Sequence, residues 1–206
     1  SAIARLKPDQ SGPSVIGHGD AHNGNVFYHT AEQGGSARLS YFDPAFAGQH
    51  HPLLDMAKPL FHNVFAMWMY HPTEKATQTH LRARIETNRL IVEHDYRVPP
   101  VRLLFWRSKI DRVLIPLLRQ LWQREYEHNP LVSMERWQAQ WRSYLKAALF
   151  CCPLLTKNLL DASTYPQKIG LLGLSQAVEM GAESRYVRSF VDSELDNAAS
   201  RLAEHN

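Results

Sequence analysis

Apolar residues fall into two regimes along the chain. Up to Phe42 they come in short runs, Val26-Phe27-Tyr28 and Leu39-Ser40-Tyr41-Phe42, separated by the polar stretch 30–38 with Gly34-Gly35 in its middle. β-Branched and aromatic residues suit strands, and paired glycines accept the positive φ angles of a turn, so this pattern predicts a β-hairpin. From Leu53 the spacing becomes helical. Leu53, Leu54, Ala57, Leu60, Phe61, Val64 and Phe65 share one face of a helix, with Pro52 suited to its first turn and Pro59 placed to bend it. Amphipathic stretches at about 74–95, 101–127, 131–149 and 184–204 extend the helical part, with Pro99-Pro100 dividing the first two and Pro116 kinking the second. Residues 1–14 read as a polar lead-in. The expected fold class is α+β, mainly α: a small β-hairpin with polar ends on a helical bundle, forming a single domain over 1–206.

Composition narrows the function classes. With 206 residues, 44% of them hydrophobic, the chain has enough apolar surface for one substantial core. The five tryptophans, Trp68, Trp106, Trp122, Trp137 and Trp141, lie within the helical stretches and read as core packing, not as a ligand box. Lys and Arg number 23 against 20 Asp and Glu, and no basic run concentrates the net charge of +3, so nothing points to nucleic acid. No apolar run approaches the roughly 20 residues that span a bilayer, and the first residues lack a signal-peptide pattern. No membrane partner is expected. The two cysteines, Cys151 and Cys152, are adjacent and poorly placed to pair, which favours reduced thiols and a cytoplasmic location.

Candidate chemistry is concentrated in VIGHGDAHNGNVFYH, residues 15–29, where one aspartate stands among three histidines, two asparagines and three glycines. Asp20 and Asn25 precede the first strand of the hairpin and Asp43 follows the second. Because a hairpin returns its chain to the starting point, Asp43 can come near Asn25. Oxygen donors of this kind suit magnesium, a hard cation that shares its coordination shell with phosphates. Asp20 is then left to orient or deprotonate a hydroxyl. His18 and His22 also have the spacing of a zinc pair, but Gly19 and Gly24 argue for a loop and no Glu follows His18, as a metalloprotease would require. A polar turn capped by its own side chains is the plainest alternative.

The segment His18-Gly19-Asp20-Ala21-His22-Asn23-Gly24-Asn25 resembles the HGDxHxGN catalytic loop of the aminoglycoside phosphotransferase and choline kinase group, small-molecule kinases with a protein-kinase-like fold. Phe42-Asp43-Pro44-Ala45-Phe46-Ala47-Gly48 is similar to the group's second motif, which replaces the metal-binding DFG segment of protein kinases. The resemblance implies Asp20 as catalytic base, Asn25 and Asp43 as magnesium ligands, and Gly24 and Asn25, with Asp43, near the nucleotide phosphates. It implies ATP and magnesium as cofactors and a small-molecule hydroxyl as substrate. By the same resemblance His18 is a structural member of the catalytic set, bridging the loop to an aspartate on the next helix, for which Asp55 is the candidate. Gly19 stands where protein kinases usually carry Arg, so no phosphorylated activation loop is expected.

In this group a nucleotide-binding N-terminal lobe of about a hundred residues precedes the catalytic loop, with a Lys paired to a helix Glu. Only 17 residues precede His18, and Lys7 has no strand around it. The chain therefore reads as the C-terminal lobe alone, with the N-terminal lobe a missing partner. The resemblance is carried by residues 15–65. Arg82, Arg84, Arg89, Arg97, Arg102 and Arg107 offset the acidic residues of the later helices, so a cationic antibiotic is not implied as acceptor. His50, His51 and His62 are candidates to line the acceptor site. A second function class, a non-catalytic kinase-like binding or regulatory module, would keep the lobe as a scaffold; a zinc hydrolase is the third.

Overall fold

The computed structural model describes residues 1–7, 12–31 and 35–204. It is α+β and mainly helical. A short helix, α1 (Ala2–Arg5), leads into four strands: β1 (Val15–Gly17), β2 (Val26–His29), β3 (Arg38–Tyr41) and β4 (Gly48–His50). β2 and β3 form the hairpin that the apolar runs predict, antiparallel with Val26 opposite Tyr41 and His29 opposite Arg38. Of its turn glycines, Gly34 lies outside the described residues. β1 and β4 pair with each other instead, Val15 opposite His50 and Gly17 opposite Gly48. One two-stranded ribbon thus brackets the other. The segments joining them, 18–25 and 42–47, leave the same end of the β2–β3 hairpin side by side.

Helix α2 (Pro52–Leu60) follows with Pro52 in its first turn and the His51 ring accepting the Leu53 amide at 3.2 Å. Pro59 supplies no amide hydrogen to the ladder, and the chain passes directly into a π-helical turn over Phe61–Phe65, closed by Ala66 N–H donating to Phe61 O at 3.1 Å. The bend expected from Pro59 is met in this form. Two short helices follow, α3 (Met67–Tyr70) and α4 (Pro72–Gln78). Beyond them the expected amphipathic stretch at about 74–95 is corrected: only its start is helical. The rest is a second antiparallel hairpin, β5 (Leu81–Glu86) and β6 (Arg89–His94), turned at Thr87 with φ +54°.

The remaining chain is helical: α5 (Pro100–Lys109), a second π turn at Ile110–Leu114 just before Pro116, α6 (Ile115–His128), α7 (Met134–Thr156), α8 (Gln167–Gly181) and α9 (Phe190–Ala203). α7 runs through the bundle between α2 and α8. Leu53, Leu60, Phe61, Trp68, Trp106, Leu145, Leu149 and Leu172 are fully buried at its centre. Trp137 and Trp141 are also buried and Trp122 packs against the same cluster, as expected of core aromatics. No helix among the described residues is long and apolar enough to cross a membrane.

Candidate functional site

The loop between β1 and β2 is held by its own polar side chains and by α2. Gly19 adopts φ +75°, a left-handed conformation that glycine accepts without strain, and its amide donates to Asp55 Oδ1 at 3.0 Å. A Cβ on Gly17 would stand only 1.8 Å from Asp55 Oδ2, so the strand must end in glycine for the aspartate to reach the loop. Asp55 does reach it from α2, but through the Gly19 backbone and not through His18. The His18 ring bonds elsewhere. Its Nε2 lies 2.9 Å from Phe42 O and must donate to that carbonyl, which leaves Nδ1 to accept the Asp20 amide at 3.3 Å. One imidazole therefore links the backbone of Asp20 to that of the residue before Asp43.

Asn25 closes the loop. It is buried, donates from Nδ2 to Asp20 O at 3.0 Å, and its carbonyl accepts the Phe42 amide at 3.1 Å. With the amide nitrogen so engaged, the side-chain oxygen is the end left for a cation. Asp43 follows Phe42 directly, exposed and at φ +54°, a conformation aspartate tolerates better than most residues and one that clusters at functional sites. Asp20, Asn25 and Asp43 thus lie on adjoining backbone segments tied by four hydrogen bonds. An amide oxygen and a carboxylate are a donor set that fits magnesium, which takes its other ligands from water and phosphate. Of the two histidines whose spacing also suits zinc, His18 has both ring nitrogens engaged by backbone groups, and His22 Nδ1 accepts the Gly24 amide.

His22 caps the short 3₁₀ turn Asn23–Asn25, its Nδ1 accepting the Gly24 amide at 3.0 Å. A Cβ at Gly24 would press within 2.7 Å of that ring, and this packing accounts for the glycine. The π turn after Pro59 supplies two further contacts. Asn63 Oδ1 accepts the Asn23 amide at 2.9 Å, and the His62 ring stacks on His22 with centroids 4.9 Å apart. Burial, followed by the charges of His22 and Lys58, pushes His62 down to about 4, so it is neutral at pH 7. Its Nδ1 bonds the Tyr70 hydroxyl at 2.6 Å.

Sequence reasoning missed the nearest partner of Asp20. Lys58 on α2 places its ammonium 2.8 Å from Asp20 Oδ1, an ion pair by distance and not an aligned hydrogen bond, and it also lies over the Phe46 ring. The signal was present in HPLLDMAK: Lys58 follows Asp55 by three residues, so both project from one side of α2 toward the loop. Asp20 opens onto a cleft of about 420 Å³ whose walls include Lys58, His62, Tyr70, Lys157 and Tyr165. Of the three histidines expected near an acceptor, only His62 lines it. His50 bonds Phe46 O, and His51 caps α2 and stacks on Tyr144. Neither a family model, nor a curated protein, nor a solved structure matches this chain.

Proposed function

We propose that the chain is the catalytic C-terminal lobe of a kinase that transfers the terminal phosphoryl group of ATP to a hydroxyl of a small molecule. The observation that carries this reading is the hydrogen-bonded tie between the Asp20 loop and the Asp43 segment, made by His18 and Asn25. Such a tie fixes a candidate base and a candidate metal ligand relative to each other, which phosphoryl transfer needs because its catalysis is positioning and charge stabilisation. Asp20 would orient the acceptor hydroxyl and take its proton as the oxygen attacks the terminal phosphorus. The bond from that phosphorus to the bridging oxygen breaks, and ADP leaves with the electron pair. Asn25 and Asp43 would hold magnesium, whose charge when bound offsets that of the phosphate oxygens. The apolar side chains exposed around the loops, Ile16, Phe27 and Phe46, suit a face covered by an N-terminal lobe that holds the nucleotide.

The Lys58–Asp20 ion pair favours a second reading, a kinase-like binding or regulatory module in which the carboxylate serves only to hold α2 against the loop. The two part on turnover. Release of ADP from magnesium-ATP, measured across a panel of alcohol acceptors, should fall about 100-fold or more on Asp20→Ala, the usual range for losing a general base. It should fall likewise on Asp43→Ala. Turnover that survives both changes contradicts the kinase reading.

A further inference from the structure

The cleft beside Asp20 has an unbalanced charge. Its carboxylate is already matched by Lys58 at 2.8 Å, whereas Lys157, the residue that follows α7, forms no ion pair among the described residues and is exposed. His62 is neutral and adds nothing to either side. The remaining wall offers hydroxyls, from Tyr70 and Tyr165, together with a buried polar atom, His62 Nε2, that has no hydrogen-bond partner among the described residues. A cationic alcohol entering here would meet two ammonium groups and one carboxylate that is already paired. An anion would meet an uncompensated cation.

We propose that this cleft is the acceptor subsite and that it takes a small hydroxylated molecule bearing an anionic group, a carboxylate or a phosphate, with Lys157 holding the anion and Asp20 facing the hydroxyl. The phosphotransfer reading supplies the role of Asp20, but the charge preference stands on the cleft alone and is measured without nucleotide. Lys58 has a second task in this arrangement: it keeps Asp20 from repelling the incoming anion. The hydroxyls of Tyr70 and Tyr165 give the polyol part of the ligand polar neighbours, as a small-molecule site needs a few placed polar groups to fix orientation.

The test is binding to the 206-residue chain, followed by calorimetry and by amide NMR shifts, of four probes: D-glycerate, glycerol 3-phosphate, glycerol and choline. At least one of the two anions should bind about tenfold more tightly than glycerol or choline, with shifts at Lys157 and around Asp20. Lys157→Gln should remove that preference and Lys157→Arg should keep it. Because Lys157 is exposed at a helix end, neither change threatens the fold. Equal binding of all four probes, a preference for choline, no saturable binding of either anion, or an anion preference untouched by Lys157→Gln overturns the proposal. Anion binding without turnover would leave the subsite standing and count against the kinase reading only.

Discussion

Gly17 and Asp55 show how little freedom the site leaves a single residue. The strand position tolerates no Cβ because the Asp55 carboxylate occupies that space while it accepts the Gly19 amide. Gly17→Ala should cost about 1–3 kcal/mol, as overpacking does. In an Asp55→Ala background the same change should cost much less, and urea unfolding of the four-member cycle would read that coupling. His62 carries a second prediction. An unfolded-chain histidine takes its proton near the ordinary value of 6.5, whereas burial holds His62 down to about 4 in the fold. Between those values the unfolded state binds more protons, so the His62 contribution to stability should fall as pH drops from about 6.5 to about 4 and level off below, where the depressed Asp192 carboxyl continues the decline. His62→Gln should flatten that slope, leaving the part due to His51 and His94, which burial also pushes down. At this scale the sequence was legible where a motif has fixed spacing, as for Asp20 and Asn25. It was silent on Asn63, which a π turn carries to the loop, and on Tyr70, which a short helix carries to His62.

Elements were legible where the apolar period was clean. The β2–β3 hairpin, the start of α2 and α7 as far as about residue 149 follow directly from it, whereas α7 runs on to Thr156 through Pro153. The 74–95 stretch was misread because Leu81, Ala83 and Ile85 alternate with arginines, a strand period hidden inside a charged run, and because the turn at Thr87-Asn88 lacks glycine. α8 was missed for the opposite reason: Gly170, Gly173 and Gly181 lower its intrinsic helix propensity, and burial against α7 overrides them. The β1–β4 ribbon gave no signal in three-residue strands. Between helices, Lys146 of α7 meets Asp192 of α9, both buried, with Arg142 also donating to Asp192 at 2.7 Å. Burial alone would raise the Asp192 carboxyl, but the Lys146 ammonium and the Ser184 hydroxyl and amide hold it well below the usual range. Lys146→Met should therefore cost about 1–3 kcal/mol, since it takes one of two cations from a buried carboxylate and leaves Arg142 as the remaining partner. Adding Asp192→Asn should recover part of that loss, and paired denaturation curves would measure both.

Over the whole molecule, two nested ribbons and a helix end converge on one loop, and the bundle behind them serves as its foundation. The arrangement brings together residues far apart in sequence: Gly17 against Asp55, Asp20 against Lys58 and Asn25 against Phe42. It also makes the central claim local: Asn25 and Asp43 should form a divalent cation site beside Asp20 that responds to nucleotide. Paramagnetic broadening of amide NMR signals by manganese-ATP, with manganese in place of magnesium, tests this directly, because broadening registers even weak binding near the metal. The account predicts loss of signal centred on Gly24, Asn25 and Asp43, abolished by Asp43→Ala. Broadening centred elsewhere, or unchanged in that variant, would contradict it.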